Sequence, residues 1–168
     1  SYIYEWDRTF SLEHIRQEYP VYGTTDYRHP AIELLQENGS RISEFQYDSY
    51  EIIDGKPKLS GLPATYTESD EEAQTLRIFL KDALTGAKLA LLYTIFDEYS
   101  AIARSAYIEN AGEKNLHVLN MMSLSLDLPD KDYEWMQLSG AWSRERYINI
   151  GARHNSYRQH ARKFFSRT

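Results

Sequence analysis

Apolar and polar residues alternate with a period of two through the middle of the chain. In residues 75–81, Leu76, Ile78 and Leu80 fall on one side. The stretch KDALTG (81–86) reads as a turn, and Ala87, Leu89, Leu91, Tyr93 and Ile95 then resume the alternation. Successive side chains of a strand point to opposite faces, so this pattern predicts an antiparallel hairpin with one buried face. Leu76, Ile78, Leu80, Leu89, Leu91 and Ile95 are the expected core positions. Ile102, Arg104, Ala106 and Ile108 predict a third strand. Residues 115–128 predict a fourth, carrying Leu116, Val118, Met122, Leu124, Leu126 and Leu128. Its phase holds if Asn120 is tolerated on the inner face or a bulge sits near it.

Residues 31–36 and 41–53 flank Asn38-Gly39, a strong hairpin signal because both residues tolerate positive φ. Asp54-Gly55-Lys56-Pro57 predicts a second turn. Helix signals are sparse. Ser11 to Ile15 offers a cap that Pro20 soon cuts short, and residues 68–73 read as an acidic loop or one helical turn. Short strands at this spacing predict an all-β antiparallel sandwich rather than alternating strands and helices.

Composition narrows the function classes. The 168 residues suit one compact domain. No apolar run reaches the roughly 18 residues of a membrane-spanning helix, so no membrane partner is expected. The net charge of -6 argues against nucleic acid. With no cysteine, disulfides, thiolate metal sites and thiol nucleophiles are excluded, and the cytoplasm is the expected location. The start, Ser1 to Trp6, has no signal-peptide pattern and no initiator Met, so the chain is expected to be cut from something larger. Residues 151–168 differ in composition, with four Arg, one Lys, two His and no acid. The expected division is a sandwich over 1–150 and a basic tail over 151–168, either a terminal strand or a segment joined on.

Chemistry-bearing motifs are few. His14, His29, His117, His154 and His160 show no metal-ligand spacing, and no phosphate loop or serine elbow occurs. No metal or cofactor is expected. Asp7, Glu18, Asp26, Asp127, Asp130, Asp132 and Glu145 could supply a glycosidase's two carboxylates, which stand about 5 Å apart in retaining enzymes, but nothing singles out a pair. In residues 133–147, the small stretch Ser139-Gly140-Ala141 places Trp142 just after a turn. A tryptophan there either plugs the end of the sandwich or offers a flat apolar face and one N–H to a hexose.

Several islands carry a resemblance. They are DRTFSL (7–12), QEYP (17–20), Gly23 with Asp26 and Arg28, GLPATY (61–66), Thr75-Leu76 with Asp82, Arg104-Ser105 before Ile108-Glu109-Asn110, and Ser139-Gly140-Ala141-Trp142 with Arg144-Glu145-Arg146. In this order the chain resembles the N-terminal domain of glycoside hydrolase family 36 α-galactosidases over roughly residues 7–150. The resemblance implies a β-supersandwich preceding a (β/α)8 barrel that holds both catalytic aspartates, in KWD and SDN contexts. Neither tripeptide occurs here, so no catalytic residue is expected in this chain. The implied parent is a retaining, cytoplasmic, homotetrameric α-galactosidase acting on raffinose- or melibiose-type oligosaccharides. Trp142 is implied to reach a neighbouring subunit's sugar pocket. Arg144, Glu145 and Arg146 are the expected support of its loop. A free-standing lectin-like or oligomerisation module is the alternative.

Overall fold

The computed structural model describes residues 15–23, 26–61, 64–128 and 133–152. They fall into two units, one ending at Asp127 and one starting at Leu128. Among the described residues there are eight strands and a single 3₁₀ turn, so the fold is all-β and antiparallel. No helix among them is long and apolar enough to cross a membrane.

The first unit is a sandwich of unequal layers. Strands β2 (Phe45–Asp54), β3 (Gln74–Asp82), β4 (Ala87–Phe96) and β5 (Ala101–Asn110) pair in sequence order as one antiparallel sheet. Strands β1 (Ile32–Gln36) and β6 (Leu116–Met121) pair as a second, smaller sheet. The alternation read from sequence explains the contact between layers. Ile32 and Leu34 pack onto Ala87, Leu89 and Leu91, with Ile78, Leu80, Ala106 and Ile108 around them. The turn between β3 and β4 is tied by Asp82, whose carboxylate accepts the amides of Leu84 (2.9 Å), Thr85 (3.2 Å) and Glu44 (3.2 Å).

Three expectations need correction. The turn at Asn38-Gly39 forms, with Gly39 at φ 82° and its amide on the Gln36 carbonyl. It does not join two paired strands, because after Ser40 the chain crosses to the larger sheet, where β2 pairs with β3 instead. Ile95 was expected in the core but is 50% exposed. It follows Leu91 on the same face, beyond the reach of the short β1–β6 layer. The strand expected to run to Leu128 ends at Met121; the Met122 amide still bonds the Ala31 carbonyl, and Leu124, Leu126 and Leu128 then lie exposed.

Asn120 behaves as the sequence allowed. Leu119 is an extra residue in β6 relative to β1, so a bulge adjoins Asn120, whose side-chain amide donates to the Pro30 carbonyl at 2.7 Å. The acidic stretch forms a 3₁₀ turn at Asp70–Glu72, with the Glu72 carboxylate accepting the amides of Glu68 and Ser69. Gly55 turns the chain out of β2 at φ 76°; a Cβ there would sit 2.5 Å from Asp70 Oδ1. The cap expected at Ser11 and most of the basic tail, residues 153–168, lie outside the described residues.

The second unit is an antiparallel hairpin of β7 (Glu134–Ala141) and β8 (Arg144–Ala152). Met136 pairs with Ile150 and Leu138 with Ile148, which gives it one apolar face.

Candidate functional site

The residue singled out from sequence sits at the tip of this hairpin. Ala141 pairs with Arg144, so Trp142 and Ser143 form a two-residue turn. Ser143 takes a φ of 64°, which a small polar residue tolerates better than a bulky one. The ladder slips between Ser139 and Ala141, where Glu145 and Arg146 oppose Gly140, and Arg146 takes a φ of 63°. Gly140 permits this bulge: a Cβ there would lie 2.4 Å from the Arg144 carbonyl oxygen and 2.8 Å from Glu145 Cα. Asn149 Nδ2 donates to Ser139 Oγ across the strands at 2.5 Å.

Trp142 is 90% exposed. It lines a shallow depression of about 310 Å³ with Leu138, Ser139, Gly140, Glu145 and Arg146. The backbone of a two-residue turn therefore presents a large flat ring to solvent, beside an acceptor and a cation. Such an arrangement can cover the C–H face of a sugar and hydrogen-bond its hydroxyls. Arg144, Glu145 and Arg146 are all exposed and belong to the strand that carries the turn.

Two of the candidate carboxylates are tied to one arginine. Asp26 and Asp127 both bind Arg28: Asp26 through Arg28 Nη2 at 2.7 Å and Nε at 2.9 Å, Asp127 through Nη1. Asp127 also accepts the Gln17 amide at 3.1 Å. Burial pushes the Asp26 carboxyl up, but the hydrogen bonds and charge of Arg28 outweigh it and hold the group below its ordinary value. A general acid needs the opposite shift. Asp7, Asp130 and Asp132 lie outside the described residues, as do His14, His154 and His160. Among the described residues no three His, Cys, Asp or Glu side chains are grouped to hold a metal ion.

A second cluster was not singled out from sequence. Glu18 accepts Tyr93 Oη at 2.6 Å and pairs with Arg104, whose side chain is only 7% exposed. The Arg104 guanidinium lies 4.0 Å from the centroid of the Tyr93 ring. Burial, and then the hydrogen bond to Glu18, push the Tyr93 phenol well up. Burial likewise raises Tyr19, which donates to the Met122 carbonyl at 2.5 Å, to about 12. The signal was an arginine in an apolar register, between Ile102 and Ala106; an inward cation demands a carboxylate. Together the two clusters fasten residues 17–19 and 26–28 to the sandwich, and the islands around Glu18, Asp26, Arg28 and Arg104 are accounted for by this fastening.

Comparison with known proteins covers most of the chain. Residues 3–156 match the family model of the glycosyl hydrolase family 36 N-terminal domain. The chain is 50% identical over 142 residues to the α-galactosidase AgaA of Geobacillus stearothermophilus, covering 84% of this chain and 20% of the relative. It is 40% identical over 148 residues to the α-galactosidase Mel36A of Lactobacillus acidophilus, covering 86% and 20%. Among solved structures, a variant of AgaA in complex with raffinose superposes with a TM-score of 0.83 at 48% identity, over 88% of this chain and 21% of that one. The chain thus spans about one-fifth of the length of these relatives.

Proposed function

The chain belongs to the glycosyl hydrolase family 36 N-terminal domain family, and from that premise we propose that it is the non-catalytic N-terminal part of a cytoplasmic α-galactosidase. The enzyme removes terminal α-linked galactose from raffinose- or melibiose-type oligosaccharides with retention of configuration. Its catalytic carboxylates belong to a (β/α)8 barrel, and this chain alone is inactive. The relatives, five times longer than their matched part, support the enzyme over a free-standing lectin-like module.

Within that enzyme the hairpin narrows the galactose pocket of an adjacent subunit in a homotetramer. The observation that carries this reading is Trp142, 90% exposed at the tip of a tight turn. A ring stacked on galactose contributes about 1 kcal/mol, by analogy with other aromatic contacts. Arg144, Glu145 and Arg146 steady the turn, as a site of fixed geometry requires.

Steady-state kinetics of the full-length parent test the reading. Trp142→Ala should raise KM for raffinose several-fold, and activity should fall when the oligomer is diluted apart. Unaltered kinetics would sink the pocket role. Turnover of an aryl α-galactoside by the purified 168-residue chain would refute its inactivity, and an inverted first-formed anomer would refute retention.

A further inference from the structure

The four-stranded sheet has an outer face, turned away from β1 and β6, and it carries a second feature. Cross-strand pairing places Phe79 of β3, Ala90 of β4 and Tyr107 of β5 in one row on that face. The middle residue is small and the outer two are aromatic. Strands stand about 4.8 Å apart, so the two rings rise from backbones about 10 Å apart with only a methyl group between them. The result is a trough of about 440 Å³ with Ala90 on its floor.

The adjacent row is charged. Lys81, Lys88 and Glu109 are aligned across the same three strands and line the trough, and Asp48 borders it from β2. Lys81, Lys88 and Glu109 are exposed and have no side-chain partner among the described residues. Arg77, by contrast, is held by Glu51 at 2.6 Å and lies 5.3 Å from the Phe79 ring centroid.

This chemistry selects its occupant. Two rings on either side of a small floor suit a flat body with C–H faces. A rim with both donors and acceptors suits a molecule that offers both in return. An anion would meet Glu109 and Asp48, a cation would meet the lysines, and an apolar body would strip water from charges without replacing it. A neutral pyranose satisfies every wall.

We propose that the trough between Phe79 and Tyr107 is a saccharide-binding site, holding one neutral pyranose unit between the rings while Lys81, Lys88 and Glu109 hydrogen-bond its hydroxyls. The site goes beyond the pocket role of Trp142 and does not depend on it. Its place on a regular sheet gives a preformed surface, and its openness sets the affinity in the millimolar range.

Titration of the full chain with raffinose, followed by amide chemical shifts, tests the proposal. Saturable shifts are expected at Phe79, Ala90 and Tyr107. Tyr107 is 63% exposed, so it can be replaced without disturbing the core. Tyr107→Ser should weaken binding about fivefold or more, and Tyr107→Phe, which keeps the ring, should stay within about twofold of the wild type. Lys88→Ala should weaken it as well. Trp142→Ala should leave these shifts in place, which separates the site from the hairpin. Absence of saturation up to about 100 mM raffinose, shifts confined to residues 138–146, or equal binding by Tyr107→Ser would each overturn the proposal.

Discussion

Leu91 and Ile95 lie four residues apart on one strand and one face, yet the structure gives them different weights. Leu91 is 3% exposed and belongs to the core cluster; Ile95 is 50% exposed. Each change to alanine removes three carbons. At Leu91 all three leave an apolar surrounding, which costs about 2.4 kcal/mol at about 0.8 kcal/mol per carbon. Ile32 and Leu34 press on this position from the other layer, so a cavity remains and adds about 1 kcal/mol, for a total of about 3–4 kcal/mol. At Ile95 half of the surface already meets water and no enclosed cavity forms, which leaves about 1 kcal/mol. Urea unfolding of the 168-residue chain and both variants measures the contrast. With a slope of about 2 kcal/mol/M, the midpoint should fall by about 1.5–2 M for Leu91→Ala and about 0.5 M for Ile95→Ala. Equal losses would refute the argument that the short β1–β6 layer sets the extent of the core.

Other predictions follow from the clusters and the hairpin. Asp26 has a depressed carboxyl, so its contribution is present above the unfolded value of about 3.9 and is lost as pH falls through its lower folded value; Asp26→Asn should flatten the acid limb of a stability–pH curve. Tyr19, raised to about 12, contributes stability below the ordinary phenol value of about 10 that is lost as pH rises towards 12; Tyr93, also raised, adds to the same alkaline limb, so Tyr19→Phe should reduce that limb in unfolding scans without abolishing it. Trp142→Ala should change the melting temperature by no more than a surface substitution does, within about 0.5 kcal/mol, because its ring touches little of its own hairpin. Gly140→Ala should abolish the contacts between residues 139 and 147 in nuclear Overhauser spectra, since the new methyl has no room against the Arg144 carbonyl.

Much of the fold was legible because its central strands obey one rule. From Gln74 to Asn110 the turns are short and the strands pair in sequence order, so local pattern and global pairing agree; the single buried face does not hold throughout, because Thr75, Leu92, Thr94 and Phe96 are buried on the side opposite Leu91. The pattern also failed where pairing is non-local. Nothing in residues 31–36 announces that their partner lies at 116–121, whereas Asn38-Gly39 advertises a neighbour that the chain then leaves. The exposure of Ile95 depends on the length of another layer, which a single strand's pattern does not encode. At the candidate site, resemblance drew attention to Trp142, but the turn expected at Ser139-Gly140-Ala141 lies one step later: those residues end β7, and Trp142-Ser143 is itself the turn, because the Gly140 bulge lets the ladder run on to Ala141. The Glu18–Arg104–Tyr93 cluster was not legible, because its members are 75 and more residues apart from Glu18. The trough beside Ala90 was also hidden: a small residue reads as filler until its neighbours on both sides are known to be aromatic.

The mismatch in layer size also has a colloidal consequence. Tyr47, Tyr50, Ile52, Ile95 and Ile102 share the inner face of the large sheet and are each at least half exposed. Tyr47, Tyr50 and Ile52 belong to β2, which is an edge strand of that sheet. Bare apolar surface next to open hydrogen-bonding groups is adhesive. The opposing influence is the net charge of -6, whose repulsion has a range of about 10 Å at 0.1 M salt and about 3 Å at 1 M. Solutions of this chain should therefore scatter more light as salt or concentration rises, and a lysine at Ile52 should keep them clear.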